Sequence, residues 1–314
     1  MDGARWVALA AFGANLVFFF TNGLGHGLAG ILAGNVALLG SLVTLQIVAT
    51  VILARWIARS LDEGQVGRVE RLFGTLRGFG VAGAAANLLA SELGRHVGAG
   101  RLSIAESVWR LLEPRLDRLG VLRPLAVANR MAHLSQVGRY REALELGECV
   151  AAPLRPPALR HVRDASALVC NNRASAFVSL GRLDEAEEAL AGGFALSPRP
   201  AILEALDVNR AWLAFHRGDP GRAVAEAIAF LARTPAPALG GLWGLLLARA
   251  GEPDLAMRAL ERSPAPATDR ERFWIEAARG FVLARRGDLA SAREGFDRAI
   301  ALPVPPGPSA LPPA

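Results

Sequence analysis

The sequence contains no lysine; all 35 of its Lys-or-Arg positions are arginine. That absence excludes a P-loop lysine, a Schiff-base lysine and a lysine general base together. Cysteine is nearly as scarce, with only Cys149 and Cys170, no C-x-x-C and no metal-ligand spacing. Two thiols neither demand nor exclude a disulfide, and a pair of small buried apolar side chains is the plain expectation. His96, His133 and His161 stand apart, without H-x-x-x-H or H-E-x-x-H spacing, so they form no zinc signature. No nucleophile–base arrangement and no catalytic acid pair stands out. The chain therefore reads as a non-enzyme for which no cofactor and no metal are expected.

Charge is missing from one stretch altogether. Between Arg5 and Arg55 the only ionisable side chain is His26. A helix needs about 20 apolar residues to cross a hydrocarbon core, so the run predicts two transmembrane helices, about 5–24 and 32–57, over residues 1–60. Gly30 and Gly34 give the small-xxx-small spacing of close helix contacts. Arg5 precedes the run, and Arg55, Arg59, Arg68 and Arg71 follow it. The positive-inside rule then places both the N- and C-termini in the cytoplasm, for an integral membrane protein of two spans. Gly25-His26-Gly27-Leu28-Ala29-Gly30 is a literal G-x-G-x-x-G. No acid stands about 20 residues on to hold a ribose, so a membrane turn is the better reading than a dinucleotide site.

What is abundant is repetition. ANRMAHLSQVGRYREALEL, NNRASAFVSLGRLDEAEEAL and VNRAWLAFHRGDPGRAVAEAI share one pattern. Aligned on Gly138, Gly181, Gly218, Gly251 and Gly287, the copies lie 43, 37, 33 and 36 residues apart. Five residues after each glycine stands Ala143, Ala186, Ala223, Ala256 or Ala292. Seven residues before it stands Met131, Ala174, Ala211, Gly244 or Gly280. Helical periodicity flanks each glycine, so the unit is two helices joined at a left-handed turn. Small residues on both sides let the helices cross closely. Asp219-Pro220 and Glu252-Pro253 supply an acidic start and a proline at the first helical position.

On these residues the chain resembles the tetratricopeptide repeat (TPR) family, whose period is 34 residues. The resemblance covers five repeats over 119–302. Degenerate helical, TPR-like repeats over 61–118 precede them: one spans 84–116 around Gly100, and a weaker one begins at Gly67. A loop is expected at Pro153–Pro157, and the proline-rich 303–314 is expected to be a disordered tail. The fold class predicted is all-α: a transmembrane hairpin followed by a TPR-like α-solenoid.

The resemblance implies protein binding in a groove lined by the first helix of each repeat. In many peptide-binding members an asparagine nine residues before the turn glycine bonds the ligand backbone. Asn129, Asn172 and Asn209 occupy that position, with Asn171 adjoining. The alternative is that these amides bond within their own repeat or face water. The next position, where the family has leucine, holds Arg130, Arg173, Arg210 and Arg279. An arginine row suits an acidic ligand or, equally in kind, a solvated face among nearby acids. Trp212, with Phe215 and His216, either lines the groove or fills the core. The predicted peptide-binding set is Asn129, Asn171, Asn172, Asn209, Arg173, Arg210 and Trp212.

The function expected is a membrane-anchored scaffold or adaptor. Its partners would be proteins or peptide segments near a membrane, together with membrane lipid. The alternative is a regulatory or assembly subunit of a membrane complex acting through its transmembrane helices. No small-molecule substrate is expected. Net charge +6 raises nucleic acid as a partner, but the arginines are interleaved with acids and form no basic run, which argues against it.

Overall fold

The computed structural model describes residues 50–76, 82–150 and 159–302, and among these all regular structure is helical. Two compact units are present: Met1–Glu92 with Arg110–Leu119, and Leu93–Trp109 with Gly120–Ala314.

In the first unit, helix α1 (50–62) turns at Gly64 into α2 (Val66–Leu76), and the first part of α3 (Ala82–Gly98) follows. Ile57, Leu61, Val69, Phe73, Leu89 and Ala90 form its buried apolar set. Arg115 lies over the Phe73 ring at 5.2 Å. The left-handed glycine here is Gly64, at φ 72°, whereas Gly67 lies inside α2. A helix–turn–helix is present here, with its turn three residues before the Gly67 at which the weak repeat was expected to begin.

The transmembrane hairpin requires correction. Among the described residues no helix is long and apolar enough to cross a membrane. The span expected at 5–24 lies outside the described residues, and of 32–57 only 50–57 falls within them, as part of α1. That part ends in a helix carrying Arg55, Arg59 and Asp62, and it buries Ile57 and Leu61 against protein. Uninterrupted hydropathy measures burial of any kind, so the run did not distinguish lipid from a protein interior. The two-span placement and the cytoplasmic termini derived from it are not supported. The G-x-G-x-x-G turn, the Pro153–Pro157 loop and the 303–314 tail also lie outside the described residues.

The second unit holds the end of α3 and most of α4 (Leu102–Leu112), then five helix pairs. The pairs are α5 (Arg123–Gln136) with α6 (Tyr140–Glu148), α7 (Arg160–Ser179) with α8 (Leu183–Ala195), and α9 (Pro200–His216) with α10 (Pro220–Arg233). After them come α11 (Gly240–Arg249) with α12 (Pro253–Glu261) and α13 (Asp269–Arg285) with α14 (Leu289–Ile300). Each first helix packs on its own partner and on the next first helix, and each second helix packs on the first helix that follows. This nearest-neighbour connectivity is solenoid-like.

The turns explain the repetition. Gly100, Gly138, Gly181, Gly218, Gly251 and Gly287 all have φ between 72° and 95°. The residue after each donates its N–H to the carbonyl five positions back, as Arg182 does to Phe177 and Asp219 to Ala214, at 2.8–3.1 Å. That 6→1 bond closes the first helix, and only glycine takes the conformation without strain. Ala143, Ala186, Ala223 and Ala256 are fully buried, and Ala292 is 3% exposed. At Gly280 a Cβ would meet the Phe296 ring at 2.8 Å, so the small residues seven before the turn set how closely each pair crosses. Between pairs, apolar side chains fill the seam. Trp243, fully buried, stacks on Phe230 with ring centroids 4.8 Å apart.

Candidate interaction groove

The asparagines form a ladder across the first helices. Asn209 Nδ2 on α9 donates to Asn171 Oδ1 on α7 at 2.8 Å. Asn171 Nδ2 reaches Asn172 Oδ1 at 3.5 Å, and Asn172 Nδ2 donates to the Ala128 carbonyl on α5 at 2.8 Å. Asn129 continues the row against α3, where a Cβ on Gly94 would meet its Nδ2 at 2.7 Å. An amide both donates and accepts, so each rung satisfies one neighbour and still offers a group to the next. Asn171 is 9% exposed, and its loss would leave two amides short at once.

One edge of the ladder is open. Asn171, Asn172 and Asn209 line a groove of about 360 Å³, together with Ser135 and Gln136 of α5, Ala205 and Val208 of α9, Leu242 of α11 with Leu239 just before it, and Arg270 and Trp274 of α13. First helices from all five pairs contribute to it. It adjoins a second hollow of about 240 Å³ sharing Leu239, Leu242, Glu271 and Trp274 and bordered by Pro264 and Pro266. Together they exceed the lower end of ligand-pocket volumes and have the mixed apolar and amide walls such sites use.

The arginines one position on lie elsewhere. Arg130, 6% exposed, donates to Glu106 of α4, contacts His133 Nδ1 at 2.7 Å and lies over the Trp109 ring at 5.2 Å. Arg173 rests on Phe177 at 5.8 Å, and its stem packs where a Cβ on Gly147 of α6 would come within 3.2 Å. Arg210 pairs with Asp207 at 2.7 Å and Glu226 at 3.0 Å and covers Phe194 at 4.8 Å. It borders a separate hollow of about 180 Å³ with Arg217 and Arg222. Those cations are also paired, Arg217 with Asp184 and Glu187 and Arg222 with Glu226. Arg279 is exposed and paired with Glu276. Arg130, Arg173 and Arg210 thus pack at seams between helices, while Arg279 pairs within its own helix. Trp212, 2% exposed, is core: Phe215 meets it edge-on at 5.7 Å, and Arg249 lies over its ring at 5.4 Å.

Burial shapes the titration of neighbouring groups. It lowers His133, with Arg130 adding to the effect and Glu106 opposing it, and it lowers His216 with help from Arg249. It raises Asp207, which Arg210 opposes. Burial also raises the Cys170 thiol. Both cysteines are free, and Cys149 is exposed rather than buried.

Several functional groups escaped sequence reading. Gln136, Arg270 and Trp274 occur once each at their positions, so no repeat marks them. Two buried acids join successive pairs: Asp164 on α7 accepts the Arg199 N–H at 3.0 Å, and Glu204 on α9 accepts those of Ala238 and Leu239 at 3.1 and 2.7 Å. Each acid caps the start of the next first helix, where the unpaired N–H groups and the helix dipole favour a carboxylate. Asp164 stands 17 and Glu204 14 residues before the next turn glycine, so they share no repeat register that could have marked them. No protein-family model matches the chain, and no curated protein matches it.

Proposed function

We propose that the chain is a protein-interaction adaptor whose groove, built by the first helices of TPR-like repeats, holds an extended peptide segment of a partner. The observation that carries this is the ladder's open edge. Asn209 uses its Nδ2 on Asn171 while its Oδ1 takes no donor among the described residues, inside a groove walled by Leu239, Leu242 and Trp274. Such a surface fits main-chain N–H groups regardless of side chain, and it needs no chemistry from the protein.

The test is capture of partners by the full-length chain, compared with Ala205→Arg and Asn209→Ala. Ala205 lines the groove and is half-buried, so an arginine there fills the space without entering the core. Partners should be lost with Ala205→Arg and weakened with Asn209→Ala, while the thermal transition of Ala205→Arg stays near that of wild type. An unchanged partner set in both variants would refute the proposal.

A further inference from the structure

Gln136 and Arg270 line the groove with part of their polar capacity unmet among the described residues. Gln136 is 5% exposed, its Oε1 receives no donor, and its Nε2 makes only a 3.5 Å bond to the Val97 carbonyl. A buried acceptor in this state is rare in folded proteins and marks a place where something else donates. Arg270, half-buried at the start of α13, lines the same groove and forms no ion pair among the described residues. Both flanking acids are engaged elsewhere. Asp269 pairs with Arg272 at 3.0 Å, and Glu271 Oε2 accepts the N–H groups of Ala267 and Thr268. Burial lowers the Arg270 pKa, with Glu271 opposing, yet a guanidinium keeps its charge at any physiological pH. The cation therefore sits part-desolvated with no committed counter-ion.

We infer that the groove's ligand is an extended acidic peptide whose side-chain carboxylate pairs with Arg270 while its main-chain N–H groups meet Asn209 Oδ1 and Gln136 Oε1. A carboxylate matches the guanidinium through two parallel N–H bonds, a geometry that a neutral amide does not reproduce. The acceptors on Asn209 and Gln136 call for two donors as well, and an inorganic phosphate dianion carries a single O–H. The combination of one anion and several donors selects a peptide. The inference rests on the adaptor reading and sharpens it by naming the ligand's charge.

The test is enrichment of a random dodecapeptide library on the full-length chain, followed by sequencing. Wild type should enrich Asp or Glu at one position. With Arg270→Gln peptides are still enriched but that preference disappears, and an acidic peptide selected on wild type binds this variant about tenfold more weakly. Arg270→Lys should retain part of the preference. Enrichment without any acidic position, or an acidic preference that survives Arg270→Gln, overturns the inference and leaves the adaptor reading intact. Inorganic phosphate that binds wild type as tightly as the selected peptide also overturns it, as a simple anion site. No enrichment over Ala205→Arg removes both.

Discussion

Two rows of side chains, one residue apart in sequence, do opposite work in the second unit. Asn129, Asn172 and Asn209 bridge neighbouring first helices, and two of them open on the groove. Arg130, Arg173 and Arg210 between them meet acids of α4, α9 and α10 and the aromatic faces of Trp109, Phe177 and Phe194. One residue is about 100° of helix rotation, enough to move a side chain from the inner face to the seam. Adjacent polar residues in a repeat therefore do not make one site. The amide row opens on the groove, and the arginine row packs into the fold.

The largest effect that sharpens this contrast is expected at Arg130. Arg130→Ala removes the buried guanidinium partner of Glu106 and the cation over Trp109, so urea unfolding should show a loss of about 3 kcal/mol. A loss under about 1 kcal/mol would mean that this arginine is a surface charge after all.

Asn171→Ala comes next. It removes the acceptor for Asn209 and a neighbour of Asn172, which should cost about 2 kcal/mol. A double-mutant cycle with Asn209→Ala should give a coupling of about 0.5–1 kcal/mol. Strict additivity of the two would break the ladder into independent surface amides.

Acidification probes the arginine row without removing any of it. Unfolded, His133 titrates near 6.5; folded, burial and then Arg130 lower it, Arg139 adds to this, and Glu106 opposes it. The unfolded chain then takes up the proton first. Stability is therefore full above about pH 6.5 and falls as the pH drops below it. Denaturant midpoints measured between pH 7.5 and 5 should show that decline, and His133→Gln should flatten it. Identical slopes in the two proteins would show that His133 is not held neutral beside Arg130.

The smallest effect is expected at Arg279, exposed and paired only within its own repeat and with Glu276. Arg279→Ala should change stability by less than about 1 kcal/mol. A larger loss would extend the buried part of the row to the last pair.

The repeat was legible because its physics is local. A left-handed glycine closes a helix through bonds spanning six residues, and an alanine five positions later packs against the helix just ended, so both recur whatever lies beyond the pair. The register at Gly67 failed for the same reason: α1 and α2 turn at Gly64 without the flanking small residues that mark the other copies. Hydropathy over 1–60 misled because an uncharged run records only exclusion from water. The groove was half legible. Asn172 and Asn209 carry a repeat position and Asn171 adjoins it, whereas Gln136 and Arg270 lie 134 residues apart and share no spacing.

The sequence by itself determined where the chain turns and which residues must be small, since steric limits on φ and on helix crossing act within one pair. Only the tertiary structure decided which side of each first helix faces the groove, that the amides bond one another across helices, and that Trp212 is core. Those outcomes depend on the rotation of each pair against the next, which is set by packing between helices and not by any single repeat. The same rotation brings Arg270 and Gln136 to one groove, where among the described residues Gln136 Oε1 takes no donor and Arg270 forms no ion pair.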